Sequence, residues 1–293
     1  MGIAAFKQNL QDWITQQWVI LFGKRIQPKD KPWLLGPFGE SNGIGLKFIK
    51  QLAQHEGLII DKKQIDKGLL NSIDQLHLTE SALNHLSKDV IDFYENTSNY
   101  KFDLKVKWNS LFKVFGYALK FLFSNRIEQL NIPMNNTKAS SVLNSEIIHL
   151  LDKNSKAVKR TIWLRTFKAS GQVVYSGIYE VCTIPNGQPC IKAIFPLPNG
   201  SATVILEPKV GKNGELILNS SGQTIGDPGF YFLLKDAKGD LWTKFIKSFK
   251  DKLVVSSENE NVKAVQTLTL WNLKVLEFQY AIKKKNYDAK TQG

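Results

Sequence analysis

The sequence predicts an α+β protein, a helical N-terminal half followed by an antiparallel, curled or barrel-like β-sheet of about eight to ten strands. Three observations carry this reading. Apolar periodicity changes from a helical spacing to strict alternation between residues 140 and 160. Turn pairs such as Ser170-Gly171, Asn186-Gly187, Asn199-Gly200, Asn213-Gly214 and Lys238-Gly239 then recur between short alternating runs. A chain of 293 residues that is 43% apolar, with 17 Phe and 7 Trp, can bury a large core without disulfide or metal staples.

Residues 1–138 read as the helical region. Helices are expected over 3–22, at about 45–55, near 62–76, at 80–97 entered through Thr79 with a restart at Ser87, and over about 105–130. Pro37 and the glycines at 36, 39, 43 and 45 keep 34–45 out of any helix. That loop lacks the lysine-serine order and the preceding strand of a phosphate cradle, so a turn under a helix is expected. In 105–130, Trp108, Leu111, Phe112, Phe115, Ala118, Leu119 and Leu122 share a face that Val114, Tyr117 and Phe121 widen. Such a helix is either central to the core or interfacial at a membrane, with Lys113 and Lys120 snorkelling.

The polar stretch from Asn135 to Ser141 marks the boundary to an antiparallel β domain, residues 139–286, followed by a frayed tail, 287–293. A short linking helix is expected at 142–152. Alternating runs follow at 161–167, 172–183, 190–195, 202–207, 215–218, 230–234, 242–246, 252–255, 262–270 and 274–282. Their connections are too short for parallel crossovers, which need a dozen or more residues. A sheet this long tends to curl or close. Trp271-Asn272 reads as a tight connection between the last two strands, with packing as the role of Trp271. Asp227 before Pro228 reads as turn geometry.

The net charge of +13 invites an anionic partner, but only four of the 39 basic residues are arginines. Nucleic-acid readers favour the bidentate arginine fork, so a nucleic-acid partner is not expected, whereas an anionic membrane surface remains open. Lys7 and Asp12, with Gln16 and Gln17 interrupting the apolar run 13–22, argue against a secretory signal. Phe6 stands where a myristoylation signal wants Ser or Thr. The expected location is the cytoplasm, with a membrane-peripheral position open. Cys182 and Cys190 flank the hairpin tip Pro185-Asn186-Gly187-Gln188-Pro189. A two-residue turn points them to opposite faces, a three-residue turn sets them directly across, and free buried thiols are expected.

Chemistry-bearing residues are few. Trp163, Arg165 and Phe167 alternate onto one face of the first β-domain strand, and Tyr175 and Tyr179 share a face of the next. If that face is concave, Arg165 is a cation in an aromatic enclosure, suited to the carboxylate or phosphate of an amphipathic ligand. The structural alternatives are an internal ion pair with Glu180, Glu207 or Glu277, or exposure on a convex face. Glu146 and His149 stand three apart on the expected linking helix, a spacing used in carboxylate-bridged metal sites, but one copy does not make one. No nucleophile elbow, metal set or cofactor fingerprint is present, so no catalytic residue is assigned and no cofactor is expected.

The segments Asp92-Phe93-Tyr94-Glu95-Asn96-Thr97-Ser98, Phe123-Ser124-Asn125-Arg126-Ile127-Glu128-Gln129-Leu130-Asn131-Ile132-Pro133, Trp163-Leu164-Arg165-Thr166, Phe195-Pro196-Leu197-Pro198-Asn199-Gly200 and Gly226-Asp227-Pro228-Gly229-Phe230-Tyr231-Phe232 together resemble a family of uncharacterised bacterial proteins. The resemblance spans roughly residues 90–282. It implies a shared fold, a bacterial origin and two halves that travel together; it supplies no catalytic residue.

Three functions follow as expectations. The first is a binding module that encloses an apolar or amphipathic, lipid-like molecule in a cavity of roughly several hundred Å³, anchored by Arg165 and lined by Trp163, Phe167, Tyr175 and Tyr179. The second is a peripheral membrane or assembly protein using the lysine-rich surface and an aromatic amphipathic helix, Trp13–Phe22 or Trp108–Phe123. The third is an enzyme in which two of Glu180, Glu207, Asp227 and His149 converge in the same cavity.

Overall fold

The computed structural model describes residues 2–5, 9–39, 46–61, 63, 65–113, 116, 141–259 and 261–285. Its helices are α1 (Leu10–Phe22), α2 (Leu46–His55), α3 (Glu80–His85) and α4 (Lys88–Glu95). The strands begin with β1 (Lys24–Ile26), β2 (Ile59–Ile60), β3 (Tyr100–Trp108), β4 (Ser141–Leu151) and β5 (Val158–Phe167). There follow β6 (Val173–Thr183), β7 (Pro189–Leu197), β8 (Gly200–Val210), β9 (Leu216–Asn219) and β10 (Gly229–Lys235). The last four are β11 (Leu241–Phe245), β12 (Phe249–Glu258), β13 (Asn261–Leu270) and β14 (Leu273–Lys284).

Ten of these strands close into an antiparallel barrel in the order β8-β7-β6-β5-β4-β3-β14-β13-β12-β9, and β9 pairs back onto β8. Closure removes the free edges that a long open sheet would expose. β8 makes it possible by dividing one edge between two partners. Gly200–Ile205 pair with β10, and Glu207–Val210 pair with β9. β10, β11 and β1 therefore branch outward as a flap beside the barrel.

Period-two alternation sends one set of side chains inward. Phe102, Leu104, Val106, Trp163, Tyr175, Ile191, Val204, Leu206, Leu216, Leu218, Val255, Ala264, Phe278 and Tyr280 all belong to one buried cluster. The segment from Leu69 to Tyr94 joins it, with Leu69, Leu70, Ile73, Leu76, Val90, Phe93 and Tyr94 buried in the same cluster. It lies where the chain enters β3, since Phe93 packs edge-on against Tyr100 and Phe102. One end of the barrel is thus filled by the chain's own side chains.

The outer face of β4–β8 is also covered. Phe48, Ile49, Leu52 and Ala53 of α2 pack on Leu150, Ile162, Ile178 and Ile194. Trp33 and Leu34 pack on Cys182, Cys190, Ile205 and Tyr231. Strands buried on both faces read as continuous apolar runs. On the opposite side, β3 turns Lys101, Asp103, Lys105 and Lys107 outward.

The helical N-terminal half is smaller than the sequence predicts. Residues 105–108, expected to begin a long helix, complete β3, whose outward lysines and inward Phe102, Leu104 and Val106 are a period-two pattern. Ser110–Phe112 form a single 3-10 turn, and residues 114–115 and 117–130 of that expected helix, together with the polar joint before Ser141, lie outside the described residues. Near 62–76 the described helical structure is a 3-10 turn, Ile73–Leu76, closed by a capping box between Ser72 and Gln75. The linking helix at 142–152 is instead β4, whose Leu143 and Ile147 face one core while Ile148 and Leu150 face another. α2 and the α3–α4 break occur as expected, with the Thr79 hydroxyl capping Ala82 N–H at 3.3 Å. Of the loop 34–45, Gly39 bridges to Pro198, and residues 40–45 are outside the described residues.

Candidate functional site

β5 and β6 place the sequence-predicted residues inside the barrel. Arg165 stands directly opposite Tyr175, and Trp163 opposite Gly177, whose lack of a side chain leaves room for the rings of Tyr179 and Phe195. Trp163 packs edge-on against Tyr179, and its indole N–H donates to Ser145 Oγ at 2.8 Å. Arg165, Trp163, Tyr175 and Tyr179 line one cavity. Phe167 does not reach it, being half-buried at the strand's end.

Arg165 is 5% exposed. Its guanidinium carbon sits 4.1 Å from the Trp163 ring centre and 4.6 Å from that of Tyr175, a close cation–π sandwich. One terminal nitrogen donates to the Tyr280 hydroxyl at 3.2 Å. Its Nε–H has no partner among the described residues. A guanidinium stays charged at any physiological pH, so this is a buried cation held by rings and one hydroxyl rather than by a carboxylate.

The three glutamates that sequence reasoning offered as counter-ions are engaged elsewhere. Glu180 pairs with Arg160 and with Lys192 at 3.0 Å. Glu207 pairs with Lys209 at 3.0 Å and accepts from Gln188 at 2.8 Å. Glu277 pairs with Lys274 and, at 3.6 Å, with Lys107.

Sequence reasoning missed an acid in the same enclosure. Asp251, on β12, is 4% exposed and lines the cavity with Gln266 and Tyr280. Gln266 donates to its Oδ2 at 2.7 Å, while Oδ1 has no partner among the described residues. Burial pushes its carboxyl up to about 7, against the lowering effect of the Gln266 hydrogen bond. Burial likewise holds the Tyr175, Tyr179 and Tyr280 hydroxyls above their ordinary range, hence neutral. The available signal was phase: Asp251 falls on the inward positions shared with Leu253 and Val255.

The cavity between these groups measures about 80 Å³, well below the several hundred Å³ expected for a lipid. Phe93 and Tyr94 of the end-filling segment, and the aromatic walls, take up the remaining space.

The proposed acid–base set does not converge. His149 Nε2 contacts the Gly68 carbonyl at 3.1 Å, and Asp227 accepts the Gln223 and Thr224 amides at 2.8 and 2.9 Å within its own turn. Glu146 and His149, three apart on a strand, face opposite sides. Among the described residues, no cluster of three or more His, Cys, Asp or Glu is placed to hold a metal. Cys182 and Cys190 are directly opposite, as a three-residue turn requires, and are free and buried, with burial pushing their thiols up to about 11 and about 12. Trp271, expected to pack, is 68% exposed on a turn in which it and Asn272 both adopt positive φ.

A second feature lies on the surface. α1 buries Asp12 and Gln16 and exposes Leu10, Ile14, Trp18, Leu21 and Phe22 along one face, Leu10 by 71% and Phe22 by 62%. Gln16 earns its buried position by donating to the Pro198 carbonyl at 2.8 Å. Among the described residues, no helix is long and apolar enough to cross a membrane.

No family model matches the chain, and no solved structure matches it. Over 217 residues, 73% of its length, it is 25% identical to the "Uncharacterized membrane protein YndJ" of Bacillus subtilis (strain 168). The matched region makes up 38% of that relative, so the chain spans well under half of the relative's length. This bacterial, uncharacterised relative agrees with the resemblance carried by the sequence motifs.

Proposed function

We propose that the protein is a binding module whose barrel encloses a small amphipathic molecule, with an anionic group on Arg165 and the rest against Trp163, Tyr175 and Tyr179. The observation that carries this reading is a fully buried guanidinium with a free Nε–H and no carboxylate partner among the described residues, facing a cavity. A buried cation without a counter-ion costs several kcal/mol, and a ligand that supplies the missing anion recovers it. The volume favours a small molecule over a lipid. Native mass spectrometry of purified protein, with identification of whatever denaturation releases, tests this. A stoichiometric small anion that is absent from folded Arg165→Met supports the reading; a clean apo mass together with no anion binding sinks it.

A second reading, attachment to a membrane surface from the cytoplasmic side, is favoured by α1. Its exposed apolar face ends beside the exposed cations Lys24 and Arg25, and Lys244 donates to the Phe22 carbonyl at 2.8 Å. Such a face beside lysines suits an anionic bilayer, and the relative's printed name is that of a membrane protein. The outer face of β3 carries lysines, and the apolar outer face of β4–β8 is covered by the chain's own α2 and Trp33-Leu34 segment, leaving little of the described wall free for lipid. Co-sedimentation with phosphatidylglycerol vesicles should be lost in Trp18→Glu/Leu21→Glu; equal sedimentation of that variant would remove the reading.

A further inference from the structure

Two ionisable side chains on the wall of the same cavity, Arg165 and Asp251, each have a polar atom left over among the described residues. Arg165 Nε and Asp251 Oδ1 are both buried, both lack a hydrogen-bond partner among the described residues, and both belong to walls of the same cavity. No ion pair joins the two side chains, whose bonds go instead to Tyr280 and Gln266. A protein that needed these groups only for stability would bring them together, because separate buried charges each bear the full desolvation cost. Groups of opposite sign held apart across a cavity match a ligand that carries both signs. Tyr175 and Tyr280, whose rings face the Arg165 guanidinium at 4.6 and 5.8 Å, line the same cavity.

Resting on the reading of the barrel as a binding module, we propose that the ligand is a small zwitterion. Its carboxylate accepts the Nε–H of Arg165, and its ammonium group donates to Asp251 Oδ1. The cavity limits its size. About 80 Å³ admits roughly five to eight water-sized groups, which is the range from glycine to a four-carbon amino acid.

The experiment uses the full chain and isothermal titration with three matched probes: γ-aminobutyrate carrying both charges, butyrate carrying only the anion, and butylamine carrying only the cation. Glycine and β-alanine extend the series to shorter separations. At least one zwitterion should bind tenfold or more tightly than butyrate and butylamine. Asp251→Asn should reduce zwitterion binding to the level of butyrate while leaving butyrate within twofold, and Arg165→Gln should remove binding of both. If Arg165→Gln does not fold, Tyr280→Phe replaces it, and should weaken zwitterion and butyrate alike. Butyrate binding as tightly as every zwitterion, with Asp251→Asn leaving all affinities unchanged, overturns the zwitterion while the anion-binding barrel stands. No binding of any probe, with only water bridging Arg165 and Asp251 in a crystal soaked with them, also overturns it. The extraction experiment then decides separately whether the barrel carries any ligand.

Discussion

Arg160 and Arg165 lie five residues apart on β5 and point to opposite sides of the barrel wall. Arg160 faces outward and is a quarter exposed, its guanidinium held by Glu56 at 2.9 Å and by Glu180, which also takes Lys192. Arg165 faces inward, is more deeply buried, and finds rings and a hydroxyl where Arg160 finds carboxylates. The outer site is a completed ion-pair network that ties α2's end to β5, β6 and β7. The inner site is an incomplete one, and incompleteness at a buried charge is what distinguishes a place for a ligand from a structural clamp.

The largest effect that sharpens this comparison belongs to Asp251, the acid that does not reach Arg165. Its carboxyl rises from an ordinary 3.8 to about 7 in the fold, so the folded state keeps a proton that the unfolded state has released. Stability is therefore unaffected below pH 3.8, falls as pH rises from 4 to 7, and is lower by on the order of 4 kcal/mol above pH 7. Among the described residues, the other titratable or charged groups lining the cavity with Asp251 are Tyr94 from α4, Arg165 from β5, Tyr175, Tyr179 and Glu180 from β6, and Tyr280 from β14. Asp251→Asn should raise the unfolding free energy by a few kcal/mol at pH 8 and leave it unchanged at pH 4, as urea titrations at the two pH values would read. A pH-independent difference would place the charge of Asp251 in contact with Arg165 after all.

Next comes the clamp. Arg160→Met strands Glu56 and Glu180 beside one another with only Lys192 remaining, and should cost about 2–3 kcal/mol in thermal or urea unfolding. A loss below about 0.5 kcal/mol would put Arg160 with ordinary surface pairs and weaken the contrast. The smallest effect is Tyr280→Phe, which removes one hydrogen bond to Arg165 and should cost about 0.5–1.5 kcal/mol in the unliganded protein. A larger loss would mean that the hydroxyl substitutes for the missing counter-ion.

How far the sequence foretold this arrangement depends on how many faces of each element are buried. β6–β8 and β12–β14 were legible because turns such as Asn186-Gly187 and Asn213-Gly214 bracket alternating runs. β4 was not, since Ile148 and Leu150 bury against α2 while Leu143 and Ile147 face the interior, and two half-buried faces together imitate a helical stripe. β3 carried its alternation openly, Tyr-Lys-Phe-Asp-Leu-Lys-Val-Lys-Trp from Tyr100 to Trp108, but the apolar run after it suggested a helix beginning early. Trp163, Arg165, Tyr175 and Tyr179 could be assigned to one face from parity alone. Asp251 and Tyr280 could not be brought to them, because closure of the barrel through β9 and β8 is a long-range pairing that no local pattern encodes. The apolar run 13–22 was visible as a candidate surface helix, but which side of α1 stays exposed was not, because the helix buries Asp12 and Gln16 together with Val19 and Ile20.

Whether Arg165 is an unpaired cation kept for a ligand is tested most directly by the unfolding free energy of unliganded Arg165→Met at neutral pH. Removing a buried charge without a counter-ion should leave the protein as stable as wild type or more stable by about 1 kcal/mol, while the side chain's length is conserved. A loss of 2 kcal/mol or more, similar to that expected for Arg160→Met, would show that the inner arginine is a structural clamp like the outer one, and would contradict the account.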